Sequence, residues 1–214
     1  MHLHDGRGGD RSVGGATVRS LTISDPGLII PRARLVNSWD VGTSVSGWSG
    51  TAWTPTSGWA QATGSAYGQP VMRRDAGLGT HLGYLEFDFY QAGSGDWTMF
   101  ALCWGTDASA YSDNGYSWLI RGPSTSSPNL MTGIAKTSGT NYTISPPPSS
   151  SGAAVRIGLE VTGTQTTVAY VNRVAVASAT HTSNHSAKRN VAFGVHNGVT
   201  GCIDNVEVFD RRPF

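Results

Sequence analysis

Glu86 and Asp88 stand two residues apart in Leu85-Glu86-Phe87-Asp88-Phe89-Tyr90-Gln91, a run in which apolar and polar side chains alternate. In a strand, residues two apart share a face, so the two carboxyls and Tyr90 project from one side and Leu85, Phe87 and Phe89 from the other. Two carboxyls held about 5 Å apart can cleave a glycosidic bond with retention, one as nucleophile and one as acid. The same alternation also describes any half-buried strand with a wet outer face. Elsewhere the sequence offers no Ser-His-Asp order, no glycine-rich phosphate loop and no His/Cys spacing suited to a metal. His2 and His4 lack companions to complete a ligand set.

Aromatic residues are the second chemical resource. Trp39, Trp48, Trp53 and Trp59 crowd a region rich in Ser, Thr and Gly. Most of Trp39, Trp48, Trp97 and Trp104 are assigned to core or loop packing, because a β-sandwich uses tryptophan as filler. In the loops, Tyr111, Asp113, Asn114 and Tyr116, with Asn141 and Tyr142, combine rings with amide and carboxylate groups. Ring faces stack on the C–H face of a pyranose while polar neighbours bond its hydroxyls, so these six are the expected carbohydrate-binding residues.

The positioning elements are clearest in the last third. Ala154 to Val161, Thr166 to Ser178, Asn190 to His196 and Gly201 to Asp210 read as strands separated by turn residues. Their alternation predicts one shared inward face made of Val155, Ile157, Leu159, Val168, Val191, Phe193, Val195, Val206 and Val208. Asn172-Arg173 fits a two-residue hairpin loop, since Asn tolerates positive φ. Strict alternation puts Asp204 on the face of Cys202, Val206 and Val208, where a carboxylate needs a partner: backbone amides of the N-terminal segment or an arginine would serve.

Tyr170-Val171-Asn172-Arg173-Val174, followed by Cys202 to Phe209 (CIDNVEVF), resembles the closing hairpin and terminal strand of concanavalin-like lectin and glucanase domains. Residues 36–49 (VNSWDVGTSVSGWS) look like the opening segment of those domains and residues 82–91 (LGYLEFDFYQ) like their first long central strand, so the resemblance spans about residues 34 to 210. It implies an all-β fold, a two-sheet antiparallel jelly-roll sandwich, often with a glycan site on the concave face or in the loops at one end. Arg173 stands where the family usually has Gly. Relatives sometimes satisfy the residue matching Asp204 with Ca²⁺, which makes calcium a third partner for that carboxylate, and an edge position with the side chain in water is the remaining alternative. Residues 86–91 resemble the E-x-D-x-x-E signature of laminarinase-like enzymes, but Gln91 occupies the last position and an amide cannot protonate a leaving group. The segment also corresponds better to the strand before the catalytic one, so no enzymatic activity is expected.

Composition bounds the rest. A chain of 214 residues, 38% hydrophobic and 14% charged, suits one sandwich of short strands and tight turns. The expected division is an extended N-terminal arm over residues 1–33, the sandwich over 34–210 and a tail over 211–214. Residues 1–15 are Gly-rich and offer little to bury, while 16–31 turn β-branched around Asp25-Pro26-Gly27. A formal charge of +1 gives no field for nucleic acid, and no apolar run is long enough for a membrane span or a secretion signal. Cys103 and Cys202 are expected as buried thiols, a disulfide between the sheets being the alternative.

A lectin-like sandwich without a secretion signal fits a bacteriophage virion protein, made in the host cytoplasm and displayed on the particle. The expected role is a non-catalytic minor tail or head-decoration protein that binds host cell-surface polysaccharide. The arm would join it to other virion subunits, in a homo-oligomeric arrangement. A purely structural cement or decoration protein is the alternative, a laminarinase-type glycoside hydrolase the third reading. A secreted bacterial protein expressed as a fragment is the other localisation.

Overall fold

The computed structural model describes residues 11–13, 16–18, 32–50, 52–65, 71–92, 99–105, 115–120, 130–133, 136–140, 142–143, 154–195 and 198–214, with 11–13, 16–18, 91–92, 99–105 and 130–132 as backbone alone. The chain divides into two compact units, Met1–Arg32 and Ala33–Phe214. In the first, β1 (Arg11–Val13) pairs antiparallel with β2 (Ala16–Val18). Among the described residues a strand thus stands at Arg11–Val13, ahead of the extended segment expected from Ala16.

The second unit is built from strands alone among its described residues. They are β3 (Leu35–Trp39), β4 (Ser49–Gly50), β5 (Thr54–Thr56), β6 (Trp59–Thr63), β7 (Val71–Asp75), β8 (Gly83–Ala92), β9 (Met99–Gly105) and β10 (Tyr116–Ile120). The remainder are β11 (Leu130–Gly133), β12 (Lys136–Gly139), β13 (Tyr142–Thr143), β14 (Val155–Val161), β15 (Thr166–Val171), β16 (Val174–His181), β17 (Asn190–Val195) and β18 (Thr200–Phe209). Seven strands form one antiparallel sheet in the order β13-β11-β10-β9-β17-β7-β4. Nine form the other, in the order β12-β16-β15-β14-β8-β18-β6-β5, with β3 also paired to β18.

The period-two pattern of the sequence becomes the core. Leu85, Phe87 and Phe89 of β8, Val155, Ile157 and Leu159 of β14, and Ile203, Val206 and Val208 of β18 bury the inner face of the nine-stranded sheet. Tyr116, Trp118 and Ile120 of β10 and Val191, Phe193 and Val195 of β17 meet them from the other sheet. Phe87 and Phe193 join the layers edge to face, ring centroids 4.9 Å apart. Each such fully buried side chain contributes about 1.5–3 kcal/mol of transfer free energy. Trp39 and Trp48 pack against this core, in agreement with the packing role read from sequence.

Val168 corrects the expected core list. It is half-buried on the outward face of β15, opposite Glu160 and Ser178, while Thr167, Ala169 and Val171 point inward. Thr167 can face inward because Trp118 Nε1 donates to its hydroxyl at 3.1 Å and His181 Nε2 lies 2.9 Å from the same oxygen. A satisfied hydroxyl no longer needs water.

Strand β18 corrects the placing of Asp204. Its pairing with β8 shifts register between Asp204 and Glu207, and Asn205 takes a φ of 47°. This bulge reverses the alternation: Ile203, Val206 and Val208 point into the core, while Cys202, Asp204 and Glu207 align with outward residues of β8. Cys202 is a buried thiol outside any disulfide, which removes the inter-sheet disulfide as its partner. The side chain of Cys103 lies outside the described residues.

Candidate functional site

The outward face of the nine-stranded sheet carries the chemistry, and β8 lays it out. Tyr84, Glu86, Asp88 and Tyr90 alternate with the buried Leu85, Phe87 and Phe89. Register then places Gly158 and Glu207 beside Glu86, Arg156 and Asp204 beside Asp88, and Cys202 beside Tyr90. Charged groups occupy the middle of the face, and neutral ones occupy the side toward β5 and β6.

In the charged half, the Glu86 side chain has no solvent exposure, yet its carboxylate accepts four hydrogen bonds. Arg156 Nη2 and Arg173 Nη2 donate to Oε1 at 3.0 and 2.7 Å, and Tyr84 OH and Arg173 Nε donate to Oε2 at 3.0 and 3.3 Å. Burial alone would raise its pKa, but the hydrogen bonds and charges of Arg173 and Arg156 hold the carboxyl below its ordinary range. Arg156 also bonds Asp88 Oδ1 at 3.2 Å, the Asn205 carbonyl at 2.6 Å and the Glu207 carboxylate. Glu207 moves the other way, raised first by burial and then by the Glu86 charge, with Arg156 opposing.

Two backbone features make this network possible. Gly158 leaves room for the Tyr84 ring, since a Cβ there would sit 2.0 Å from the Tyr84 hydroxyl oxygen. The β15–β16 hairpin turns on Asn172 and Arg173 with φ of 49° and 67°, the type I′ signature, and so aims Arg173 back at Glu86. Phe214 rests edge-on against Tyr84 and Tyr170, each 5.6 Å away, with Arg212 5.6 Å from its centroid. Burial, followed by its bond to Glu160, pushes the Tyr170 phenol up to about 12. Four internal donors thus occupy the Glu86 carboxylate, and its burial closes it to solvent.

The neutral half is built on the β5–β6 hairpin. Ala60 and Ala62 point into the core, which turns Trp59, Gln61 and Thr63 outward. Thr54 and Thr56 lie opposite Gln61 and Trp59, and Thr200 lies opposite Thr63. The Trp59 ring meets Tyr90 at 4.8 Å and 69°, across β18, on which buried Cys202 lies opposite Gln61 and Tyr90. Burial, and then a hydrogen bond with Cys202, hold the Tyr90 phenol above its ordinary range. Beside the rings, a shallow concavity of about 320 Å³ is lined by Thr54, Thr56, Gln61, Thr63 and Thr200 with Ala52 and Ala62. Gln61 Nε2 donates to the Thr56 carbonyl at 3.1 Å, and the Thr63 and Thr200 hydroxyls share a hydrogen bond of 2.8 Å. Half-exposed rings beside a row of hydroxyls and an amide form an apolar platform with a polar fringe.

Solved structures similar to this chain share its architecture. The carbohydrate recognition domain of Emp47p superposes with a TM-score of 0.59 at 10% identity, covering 87% of this chain and all of that one (100%). A Bacillus subtilis protein of unknown function with a galectin-like fold gives 0.59 at 9% identity, over 85% and 99% of the two chains. The Crh5 transglycosylase in complex with NAG gives 0.54 at 13% identity, over 85% and 88%. The fold is a concanavalin-like sandwich. No protein-family model matches the chain, and no curated protein is similar to it in sequence.

Within this sandwich the expected loop residues scatter. Tyr111, Asp113, Asn114 and Asn141 lie outside the described residues. Tyr116 corrects its assignment: it is fully buried at the start of β10, its hydroxyl donating to the Thr164 carbonyl and accepting from His185 N at 3.1 Å. Its ring packs against His181 and His185, so it has no face to offer a ligand. Tyr142 is half-buried in β13 and packs against the core. Asp204 Oδ1 accepts from Gly42 N at 2.9 Å, so a backbone amide of the opening segment of the sandwich partners this carboxylate. Among the described residues no three His, Cys, Asp or Glu side chains gather as a metal site.

Trp59, Gln61, Tyr90 and the threonines were missed as a group. The signal was present in Thr54 to Thr63, TPTSGWAQAT, where large polar or aromatic residues alternate with alanine around a Ser57-Gly58 turn. The small inward residues concealed the alternation, because alanine carries a weak hydrophobic signal.

Proposed function

We propose that this chain is a non-catalytic carbohydrate-binding sandwich, displayed on a virion surface and directed at host cell-surface polysaccharide. The observation that carries the binding reading is the Trp59–Tyr90 ring pair beside the groove of Thr54, Thr56, Gln61, Thr63 and Thr200. A neighbour of the same fold that is itself a carbohydrate recognition domain supports it. The non-catalytic reading rests on Glu86, whose carboxylate is consumed by Arg156, Arg173 and Tyr84, and on the amide at Gln91. The virion reading rests on the combination of a lectin-like sandwich with a glycine-rich first unit suited to assembly with other subunits.

The test is retention of the whole protein, clustered on beads so that weak sites register, by isolated host cell-wall polysaccharide and by a glycan array. Binding that falls about tenfold or more in Trp59→Ala is expected. Equal retention of parent and variant, or release of reducing sugar that depends on Glu86, would overturn the reading.

A further inference from the structure

We infer that the β5–β6 groove selects neutral pyranose chains and rejects acidic ones. This rests on the reading that the groove binds carbohydrate, and it adds the class of sugar.

Among the described residues the groove is lined by no ionisable side chain: five hydroxyl or amide residues, Thr54, Thr56, Gln61, Thr63 and Thr200, form it with two alanines. A uronic or sialic acid carboxylate brought into it would lose water and meet no guanidinium or ammonium in exchange. Such uncompensated burial of charge is strongly unfavourable. The two arginines described at the middle of this face are committed elsewhere. Arg156 is engaged by Glu86, Asp88 and Glu207, and Arg173 by Glu86, all in the charged half. The nearest carboxylate on β18, Asp204, would repel an anion further, since its outward position follows Cys202 along the strand beside the rings.

The neutral groups present have the opposite character. A threonine hydroxyl both donates and accepts, so Thr54, Thr56 and the bonded Thr63–Thr200 pair can serve sugar hydroxyls in either role. Gln61 spends one N–H on the Thr56 carbonyl, and its amide carries both a second N–H to donate and an oxygen to accept. Trp59 and Tyr90 contribute dispersion and ring stacking, neither of which depends on charge. Affinity in this groove therefore carries no ionic component and does not respond to salt.

The experiment is calorimetric titration of the whole protein with cellohexaose, maltohexaose and mannohexaose, and with hexagalacturonate, each in low and high sodium chloride. At least one neutral hexaose should bind, with affinity unchanged by salt, and hexagalacturonate should bind at least tenfold more weakly. Thr56→Arg, an exposed position on an edge strand, should gain hexagalacturonate binding that salt abolishes. Gln61→Leu should weaken the neutral ligand severalfold, while Trp59→Ala should weaken it about tenfold or more, circular dichroism reporting an intact sandwich in each. Equal or tighter binding of hexagalacturonate by the parent, lost in Trp59→Ala, would overturn the selectivity and leave the groove a carbohydrate site. Failure of every hexaose to bind, or binding indifferent to Trp59→Ala, would overturn both.

Discussion

The two halves of one sheet face treat their polar groups in opposite ways. In the middle of the nine-stranded sheet, Glu86, Asp88, Glu207, Arg156, Arg173 and Tyr84 spend their hydrogen-bonding capacity on each other. Toward the β5 edge, Thr54, Thr56, Gln61 and Thr63 keep much of theirs turned to solvent, beside two half-exposed rings. The first arrangement is what burial of charge demands, because each unpaired group would cost several kcal/mol. The second has no such need and leaves groups available to a partner. The carboxylate cluster is thus part of the fold's own bonding, and the row of threonines is the part of this face turned to solvent.

Substitutions that separate stability from binding test this contrast. The largest effect is expected from Glu86→Gln, which leaves Arg156 and Arg173 facing a neutral amide under an occluded surface. It should cost about 3 kcal/mol in urea unfolding while glycan affinity per folded molecule stays unchanged. A parallel loss of affinity would join the two halves into one site.

Trp59→Ala should show the reverse. Retention on glycan should fall by about 1–2 kcal/mol. Unfolding should shift by less than the Glu86 variant shows, since Trp59 lies on the wet face and not in the core. If unfolding shifts more than binding does, the ring is packing material.

The pH response divides the two glutamates. Glu86 is held below its ordinary range, so the stability it contributes is complete above that range and is lost as pH falls through its own lower pKa. Glu207 is held above, so folding favours its proton. That contribution is present below the ordinary glutamate value and is lost as pH rises through its folded pKa. Glu207→Gln keeps a neutral group in place and should remove the decline on the rising side, gaining about 0.5 kcal/mol at neutral pH in denaturant titrations run across mildly acid to neutral pH. A decline that persists in the variant would assign it to another group.

The smallest change is expected from Arg173→Gly. A non-glycine residue at a φ of 67° carries about 1 kcal/mol of backbone cost, which glycine removes. The lost ion pair comes from a half-exposed arginine and is worth about as much. Unfolding midpoints of parent and variant should nearly coincide, whereas Arg173→Ala, which loses the pair and keeps the strain, should be the less stable.

The fold was legible where side-chain period and burial coincide, as in Val155, Ile157 and Leu159 or Val191, Phe193 and Val195. It was not legible where a backbone irregularity or a satisfied polar group broke that coincidence. Asp204 was assigned to the wrong face because a bulge at Asn205 cannot be seen in a pattern that assumes strict alternation. Val168 was exchanged for Thr167 because nothing local announces that Trp118 and His181, 49 and 14 residues away, will bond its hydroxyl. For the site, Glu86 and Asp88 were correctly given a shared face, but the guanidiniums that neutralise them arrive from β14 and the β15–β16 turn. Chain proximity revealed the carboxylates and concealed their partners. Trp59 was noticed as an aromatic in an odd context, while its pairing with Tyr90, 31 positions on, is a product of strand order alone.

Strand β18 has a consequence for the order in which the chain can fold. It lies between β8 on one side and β6 and β3 on the other, so strands made early wait for one made more than a hundred residues later. During synthesis, β8 is without its β18 partner until residues 200–209 emerge, and the edge bearing Trp59 has no sheet to join. Pairing at such sequence separation is slow, and an open strand edge invites association with other chains in the interval. A nascent chain stalled before Thr200 would expose the flank of β8 and leave the β5–β6 hairpin without Thr200 and without the strand that ties it to the sheet.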